Sequence, residues 1–441
     1  MKVDNSVGHE LKSRITLVKN SRENLSPNSS FWLSLSLIIW AILMFVAIFV
    51  VYRRSYFFGM AHPENSFLPA PVTRFGDFFG SFSQWREFGG FGGVGYGVSY
   101  FPGMYLPIEA IGRITGDPWV AVLISRWLAI AFTSVVIFFV LRGKDLITFL
   151  TVFILIFLSY PYLLILHTGN LDSMVLPILL CATLGAHKKN WDFFSIFIGI
   201  AAAMKGYPAL FLIIPMVSQS LKVKIRVLIV SGATALAVCL FSLLVLPGGF
   251  RYGGLSRIFD AIDAIRASQA MYVELMVNGG VGLHYGHSFL NAIQTFYGMN
   301  FIPTRFAPVV FCLFLSLCIA SLIALRLLGE SLASQFFICG AMMCLAPATS
   351  TDYKMMYLFS GVLLFAASEN RPSGLDGFLL VCSVIAMSPK PYFRVGASPW
   401  GYAAVYGTAL CLLVMLLAPL IYLALVRKHE LLSKQTGSLS N

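Results

Sequence analysis

The stretch LHTGNLDSMVLPILLCATLGAHKKNWDFFSIFIGIAAAMKGYPALFLIIP, residues 166–215, decides the fold. It contains the apolar runs 172–186 and 191–204 and opens a third at 207. The polar breaks are HTGNLD (167–172), HKKN (187–190) and KGYP (205–208). Runs of this length and composition, separated by so few residues, read as helices that fold back on each other in an apolar medium. The breaks then fall alternately on two sides. The basic break HKKN takes one side, while HTGNLD and KGYP share the other.

The rest of the chain supports a membrane reading. Of 441 residues, 58% are hydrophobic and 11% charged, against about 25% charged in a soluble domain. Further apolar runs lie at 31–51, 119–141, 146–166, 207–217, 227–246, 306–325, 335–347, 353–368, 375–388 and 400–426. The expected architecture is an all-α polytopic bundle of about 12 transmembrane helices. Segments too short to cross alone are tolerated where they pack against protein or line a wet cavity. The first run follows about thirty polar residues and lacks a small-residue cleavage site, so it reads as a retained helix rather than a signal peptide.

Lysine and arginine give the direction. They recur in the tail before residue 31 (Lys2, Lys12, Arg14, Lys19, Arg22), then at Arg142 and Lys144, Lys188 and Lys189, Lys222, Lys224 and Arg226, and Arg427 and Lys428. These alternate connections are the cytoplasmic ones by the positive-inside rule. YFPGMYLPIEAIG, 100–112, is then a helix on the outer face that does not cross. The expected parts are a cytoplasmic tail 1–30, a membrane module 31–246 with outer loop 52–118, a second outer loop 247–305, C-terminal helices 306–426 and a cytoplasmic tail 427–441.

The formal charge of +12 is explained by these loops, and no basic stripe with interleaved aromatics points to nucleic acid. The eight cysteines all lie in apolar runs without C-x-x-C spacing, and read as small buried residues.

Ionisable side chains at membrane depth are expensive and point to function. Asp172, Lys205, Asp352 and Lys354 gather on the proposed outer side, with His167, Asn170 and Tyr207. Asp77 stands among glycines and phenylalanines in TRFGDFFGSFSQW, 73–85. Such a pocket suits transfer of a sugar from a lipid carrier, because nucleotide sugars are not supplied outside the cytoplasm. A carboxylate must take the proton of the attacking hydroxyl. Cations must meet the departing phosphate. Asp77, ionised at an ordinary pKa near 3.9, suits the first role, while Lys205, Lys354 and an arginine such as Arg126 suit the second.

Each residue also has a plainer reading. Asp77 is a turn former, Lys205 snorkels to the interface, Asn170 or Asp172 caps the next helix, and Asp352 pairs with Lys354. His284 and His287, without a third ligand nearby in sequence, suit substrate hydrogen bonding better than a metal.

The order of parts resembles the GT-C glycosyltransferases, and within them the bacterial mannosyl- and arabinosyltransferase-like families that use polyprenyl-phosphate sugars. The resemblance covers roughly residues 30–300. It is carried by GDFF (76–79), YFPGMYLP (100–107) leading to ISRWLAI (124–130), LHTGNLDSMVLPILL (166–180) and GIAAAMKGYPALFLIIP (199–215), with GHSFLNAI (286–293) a weaker match. It implies that Asp77 is the base of an inverting transfer and that Lys205 lies near the donor phosphate. On this reading Arg126 and Lys354 also hold phosphate, and Asn170, Asp172, Tyr207, His284, His287, Trp85 and Tyr100 line the substrate site. It further implies a polyprenyl-phosphate-linked donor, a glycan or glycolipid acceptor of the cell envelope, and an inner-membrane enzyme with an outward-facing site. The chain departs from the family in having no second acid beside Asp77; Glu64 and Glu87 are the nearest. No metal or other cofactor is therefore expected. The competing functions are a flippase of lipid-linked sugars and an O-antigen ligase or polymerase. Against the flippase, GNLD and KGYP have no second copy after residue 306.

Overall fold

A computed structural model describes residues 28–58, 75–88, 100–245, 287–297, 306–347, 350–369, 371–389 and 403–438, with scattered residues between 262 and 274. Among the described residues the regular structure is helical, without a strand element. Every apolar run expected from the sequence forms helix.

The first half comprises α1 (Ser29–Phe58), α2 (Gly76–Phe88), α3 (Tyr105–Ile114), α4 (Pro118–Val140), α5 (Leu146–Phe157), α6 (Tyr160–Thr168), α7 (Asp172–His187), α8 (Trp191–Met204), α9 (Ile213–Ser218) and α10 (Leu221–Val245). The second comprises α11 (Phe289–Tyr297), α12 (Ala307–Leu328), α13 (Leu332–Leu345), α14 (Phe359–Ala367), α15 (Gly374–Met387) and α16 (Ala403–Ser438). Short 3₁₀ turns precede α3, α9 and α14, over Pro102–Met104, Tyr207–Leu212 and Asp352–Leu358.

Length and burial sort these helices into two kinds. Among the described residues, five are long and apolar enough to cross a membrane: α1, α4, α10, α12 and α16. A sixth span arises if α5 and α6, bent by 51° at their junction, count as one. These helices expose large apolar side chains outward, Phe45, Trp127, Ile229 and Leu313 among them. A chain with so much outward apolar surface is a multi-pass membrane protein. The shorter helices α7, α8, α13, α14 and α15 fill the centre, where Phe336, Phe337, Met342 and Phe359 are fully buried. A helix apolar on all sides belongs in such a core. The expected twelve apolar segments are therefore present as helices, but six of them are shorter than a membrane-crossing helix.

Some boundaries differ from expectation. Lys222, Lys224 and Arg226 lie within the first turns of α10 rather than in a loop before it, because the lysine and arginine stems extend the helix at little cost. The terminal helix runs on past Arg427 and Lys428 to Ser438. The segment 100–114 forms a short helix as expected, with one side packed into the protein, where Met104, Tyr105 and Ile108 have no exposure, and Phe101 and Ile114 exposed. Its glutamate, Glu109, is tied to Arg113 at 2.6 Å.

The hairpin α7–α8 organises the rest, with α7 also packing on α4 and α8 on α10. The α8–α10 approach depends on Gly199, where a β-carbon would sit 2.6 Å from the Ser231 carbonyl oxygen. Small residues are what allow two membrane helices to approach this closely.

Candidate functional site

Asp77 is not in a loop. It occupies the first turn of α2, where the exposed N–H groups favour a carboxylate. The residue before the helix, Phe75, has a φ of 59°, in the left-handed region, which is strained for a residue with a β-carbon. Several contacts hold it there. The Phe75 N–H donates to the His167 carbonyl at 2.9 Å. Its ring packs edge-on against Trp119, and the Arg126 guanidinium stacks over it at 4.9 Å. Arg126 thus supports the start of α2.

The α6–α7 turn closes against this helix. Gly169 ends α6 with φ +67°, and a β-carbon on it would lie 2.8 Å from Phe78 Cβ. Both the conformation and the space require glycine. Gly169→Ala should lower stability by at least about 1–2 kcal/mol from backbone strain alone, and should push α2 away from Asn170. Gly80→Ala, on the same helix with open space around it, should be neutral. Thermal unfolding of both variants in detergent checks this, and an equal effect at the two positions would contradict it.

Asn170 links the two halves of the site. Its side-chain oxygen accepts the Asp172 N–H at 2.9 Å, which fixes the amide orientation. Its Nδ2 therefore faces Asp77 and donates to Oδ2 at 2.9 Å. Asn170 itself is buried. Asp77 presents residue surface to the exterior while its carboxylate is set back among protein atoms. This desolvation raises its pKa above the usual aspartate value, opposed by hydrogen bonds from Asn170 and Thr168. Asp172 adds to the rise and Lys205 opposes it, so both charges lie within electrostatic reach. The sequence expectation of an ordinary Asp77 pKa is corrected on this point.

Asp172 neither caps a helix nor stands free. It is fully buried in the first turn of α7, and both of its oxygens accept from Lys205 Nζ, at 2.5 and 2.6 Å. Lys205 is the first extended residue beyond α8. The reason is simple geometry: α7 and α8 are of nearly equal length and joined by a tight turn, so the start of one meets the end of the other. Lys205 also lies 5.5 Å from the Tyr100 ring centre and 5.2 Å from that of Tyr353. The Phe101 N–H, donating to the Met204 carbonyl at 3.3 Å, brings Tyr100 there.

Lys354 completes the cluster from the other half of the chain. It is buried, with Nζ 4.0 Å from the Tyr207 ring centre, and it interacts electrostatically with Lys205 and Asp172. The preceding turn is held by His287, whose N–H donates to the Ser350 carbonyl at 2.9 Å. Ser288 and Asn291 close the start of α11 through a 2.6 Å hydrogen bond.

The sequence-predicted residues Asp77, Asn170, Asp172, Lys205, Tyr100, Tyr207 and Lys354 are thus brought into one polar cluster, with His287 tethered beside it. His284, Glu64 and the side chains of Trp85, Glu87 and Asp352 lie outside the described residues. Sequence reasoning missed Tyr353, Phe75 and Gly169. The glycine was discoverable, since a Gly-Asn pair after an apolar run signals a left-handed helix end. Among the described residues, no group of three or more His, Cys, Asp or Glu converges to hold a metal. What the arrangement can do is hold one weakly acidic carboxylate in a fixed orientation, next to buried cations and aromatic faces.

Residues 85–347, more than half of the chain, match the family model described as Glycosyltransferase family 87. No curated protein and no solved structure matches the chain. The matched region contains Asn170, Asp172, Lys205 and Tyr207, whereas Asp77 and Lys354 lie just beyond its two ends.

Proposed function

We propose, for a chain that belongs to glycosyltransferase family 87, that it transfers a sugar from a polyprenyl-phosphate donor to a hydroxyl of a cell-envelope glycan or glycolipid, with Asp77 as general base. One observation carries this reading. Of the two carboxylates described at the site, Asp172 is buried and neutralised by Lys205. Asp77 alone of the two keeps exposed surface, and Asn170 orients it.

In the proposed reaction the acceptor oxygen attacks the anomeric carbon from the face opposite the phosphate, giving inversion. The new C–O bond forms as the bond from that carbon to the phosphate oxygen breaks. The hydroxyl proton passes to Asp77, and the electron pair leaves with the polyprenyl phosphate. A raised pKa suits the task, since a base is most effective when its pKa approaches the working pH. Lys354 is assigned to the departing phosphate, where a charge-assisted contact stabilises the developing charge. Lys205 is assigned to holding Asp172 and the end of α8, because its charge is already met. Tyr100, Tyr207 and Tyr353 offer rings for the sugar or the prenyl chain.

The distribution of basic residues supports an outward-facing site. Lys188 and Lys189 lie at the end of the α7–α8 hairpin away from Asp172, and with Arg142, Lys144, Lys222 and Lys224 they mark the cytoplasmic side. This topology has its own test. In a variant freed of native cysteines, Ser83→Cys should react with an impermeant thiol reagent on intact spheroplasts, and Lys222→Cys should react only after lysis. The reverse pattern would place Asp77 on the cytoplasmic side.

The function is tested with membranes supplied with a radiolabelled polyprenyl-phosphate sugar and no nucleotide sugar. Label should move to an acceptor in wild-type membranes and not in Asp77→Asn membranes. Transfer that requires a nucleotide sugar added directly would overturn the donor assignment.

A further inference from the structure

A second site lies at the far end of the hairpin. Sixteen residues of α7, ~24 Å at the helical rise, separate Asp172 from the turn after His187. A cavity of about 380 Å³ opens there against the first turns of α10, lined by Lys188, Lys189, Trp191, Asp192, Arg226 and Val227 among others. Three cations face one carboxylate, Asp192, which pairs with Arg226 at 2.6 Å.

The backbone of this turn carries an independent signal. The Lys189 N–H donates to the Ala186 carbonyl at 3.0 Å and the Asn190 N–H to that of Gly185 at 2.8 Å. This is a helix end of the type glycine usually closes. At the ends of α6 and α12 the chain uses glycine, Gly169 and Gly329, at positive φ. Here the residue at φ +57° is Lys189, although a β-carbon is strained in that region. A local rule broken at the wall of a charged cavity points to a use for the side chain.

The surroundings identify the ligand class. The same helix that walls the cavity with Val223, Arg226 and Val227 exposes Leu221, Ile225, Leu228 and Ile229 on its other side, so α10 borders the hydrocarbon from which a lipid headgroup would reach the cavity. Trp191 has the amphipathic ring found at headgroup depth. Basic pockets between membrane helices suit acidic lipid headgroups. We infer that Lys188, Lys189 and Arg226 form a binding site for the phosphate headgroup of an anionic membrane lipid, on the face opposite the Asp77 cluster.

The test uses the purified full chain in neutral detergent micelles doped with phosphatidylglycerol or phosphatidylcholine, followed by thermal unfolding and native mass spectrometry. Phosphatidylglycerol should raise the unfolding temperature, and phosphatidylcholine should not. Lys189→Gly relieves the backbone strain, so without lipid it should be at least as stable as wild type. Its phosphatidylglycerol titration, and that of Lys188→Gln, should nevertheless shift roughly tenfold to weaker binding. The Lys222→Gln, Lys224→Gln double variant removes charge near the cavity but not from its lining, and should titrate as wild type. Unchanged titration of Lys189→Gly and Lys188→Gln, or an equal shift in the double variant, would overturn the site. Stabilisation by inorganic phosphate alone would overturn the lipid assignment.

Discussion

Asp77→Asn should turn over at least about a hundredfold more slowly than wild type, since loss of a general base typically costs 10²- to 10⁴-fold. The substitution keeps the size of the side chain, and its carbonyl oxygen can still accept from Asn170. The folded protein and donor binding should therefore survive. The pH profile adds an independent check. The base must be deprotonated to act, and burial raises the Asp77 pKa, so the acid limb of kcat/KM should lie above the ordinary aspartate range. The hydrogen bond from Asn170 opposes that rise. Asn170→Ala should then move the acid limb to still higher pH, while a purely structural role for Asn170 would lower activity without moving it. If Asp77→Asn retains the wild-type rate and Glu64→Gln or Glu87→Gln is inactive, the base is that glutamate.

Lys205→Ala should destabilise the protein by about 3–5 kcal/mol, the usual consequence of removing one partner of a buried ion pair. Asp172 would be left without exposure and without its bidentate partner. The double variant Lys205→Met, Asp172→Leu should recover most of that loss, because apolar residues of similar volume substitute well for a buried pair. It also separates two roles for the lysine. If Lys205 only braces the hairpin, the double variant regains activity along with stability. If Lys205 meets the donor phosphate, stability returns and activity does not. Lys354→Met serves as the comparison, since it removes the other buried cation while leaving the Asp172 pair intact. Thermal unfolding in detergent and the label-transfer assay provide both readouts.

Much of this cluster was legible in the sequence as a list and not as a set of contacts. The turns HTGNLD and KGYP were placed on one side because the runs between them are of helical length and the basic HKKN break falls between them. That reasoning put Asn170, Asp172 and Lys205 on the same side. It did not reveal the Asp172–Lys205 pair: Lys205 reads from sequence as a phosphate ligand or a snorkelling lysine and Asp172 as a substrate ligand or a helix cap, while the expected Asp352–Lys354 pairing falls on a side chain outside the described residues. The ion pair was discoverable, since 172–187 and 191–204 match in length and a tight hairpin must bring Asp172 to Lys205. Arg126, expected near the phosphate, stacks on Phe75, a contact that the sequence did not suggest. No sequence spacing connects those two residues, because they come from separate helices.

The sequence by itself determined the class of the protein and the position of nearly every helix. Apolar runs of sufficient length have only one stable backbone state once water is excluded, because every N–H and C=O must be satisfied within the segment. It also determined which turns carry charge. The tertiary structure decided which of those charges are already neutralised, that Asp77 rides on the first turn of a helix instead of a loop, and that Asn170 and Thr168 hydrogen-bond its carboxylate. It also showed six of the apolar helices to be shorter than a crossing helix. These outcomes depend on contacts between residues such as Asp77 and Asn170, or Phe75 and Arg126, that are distant in sequence. Such contacts are set by how closely glycines and small side chains let helices approach, and the order of residues along one helix does not reveal that.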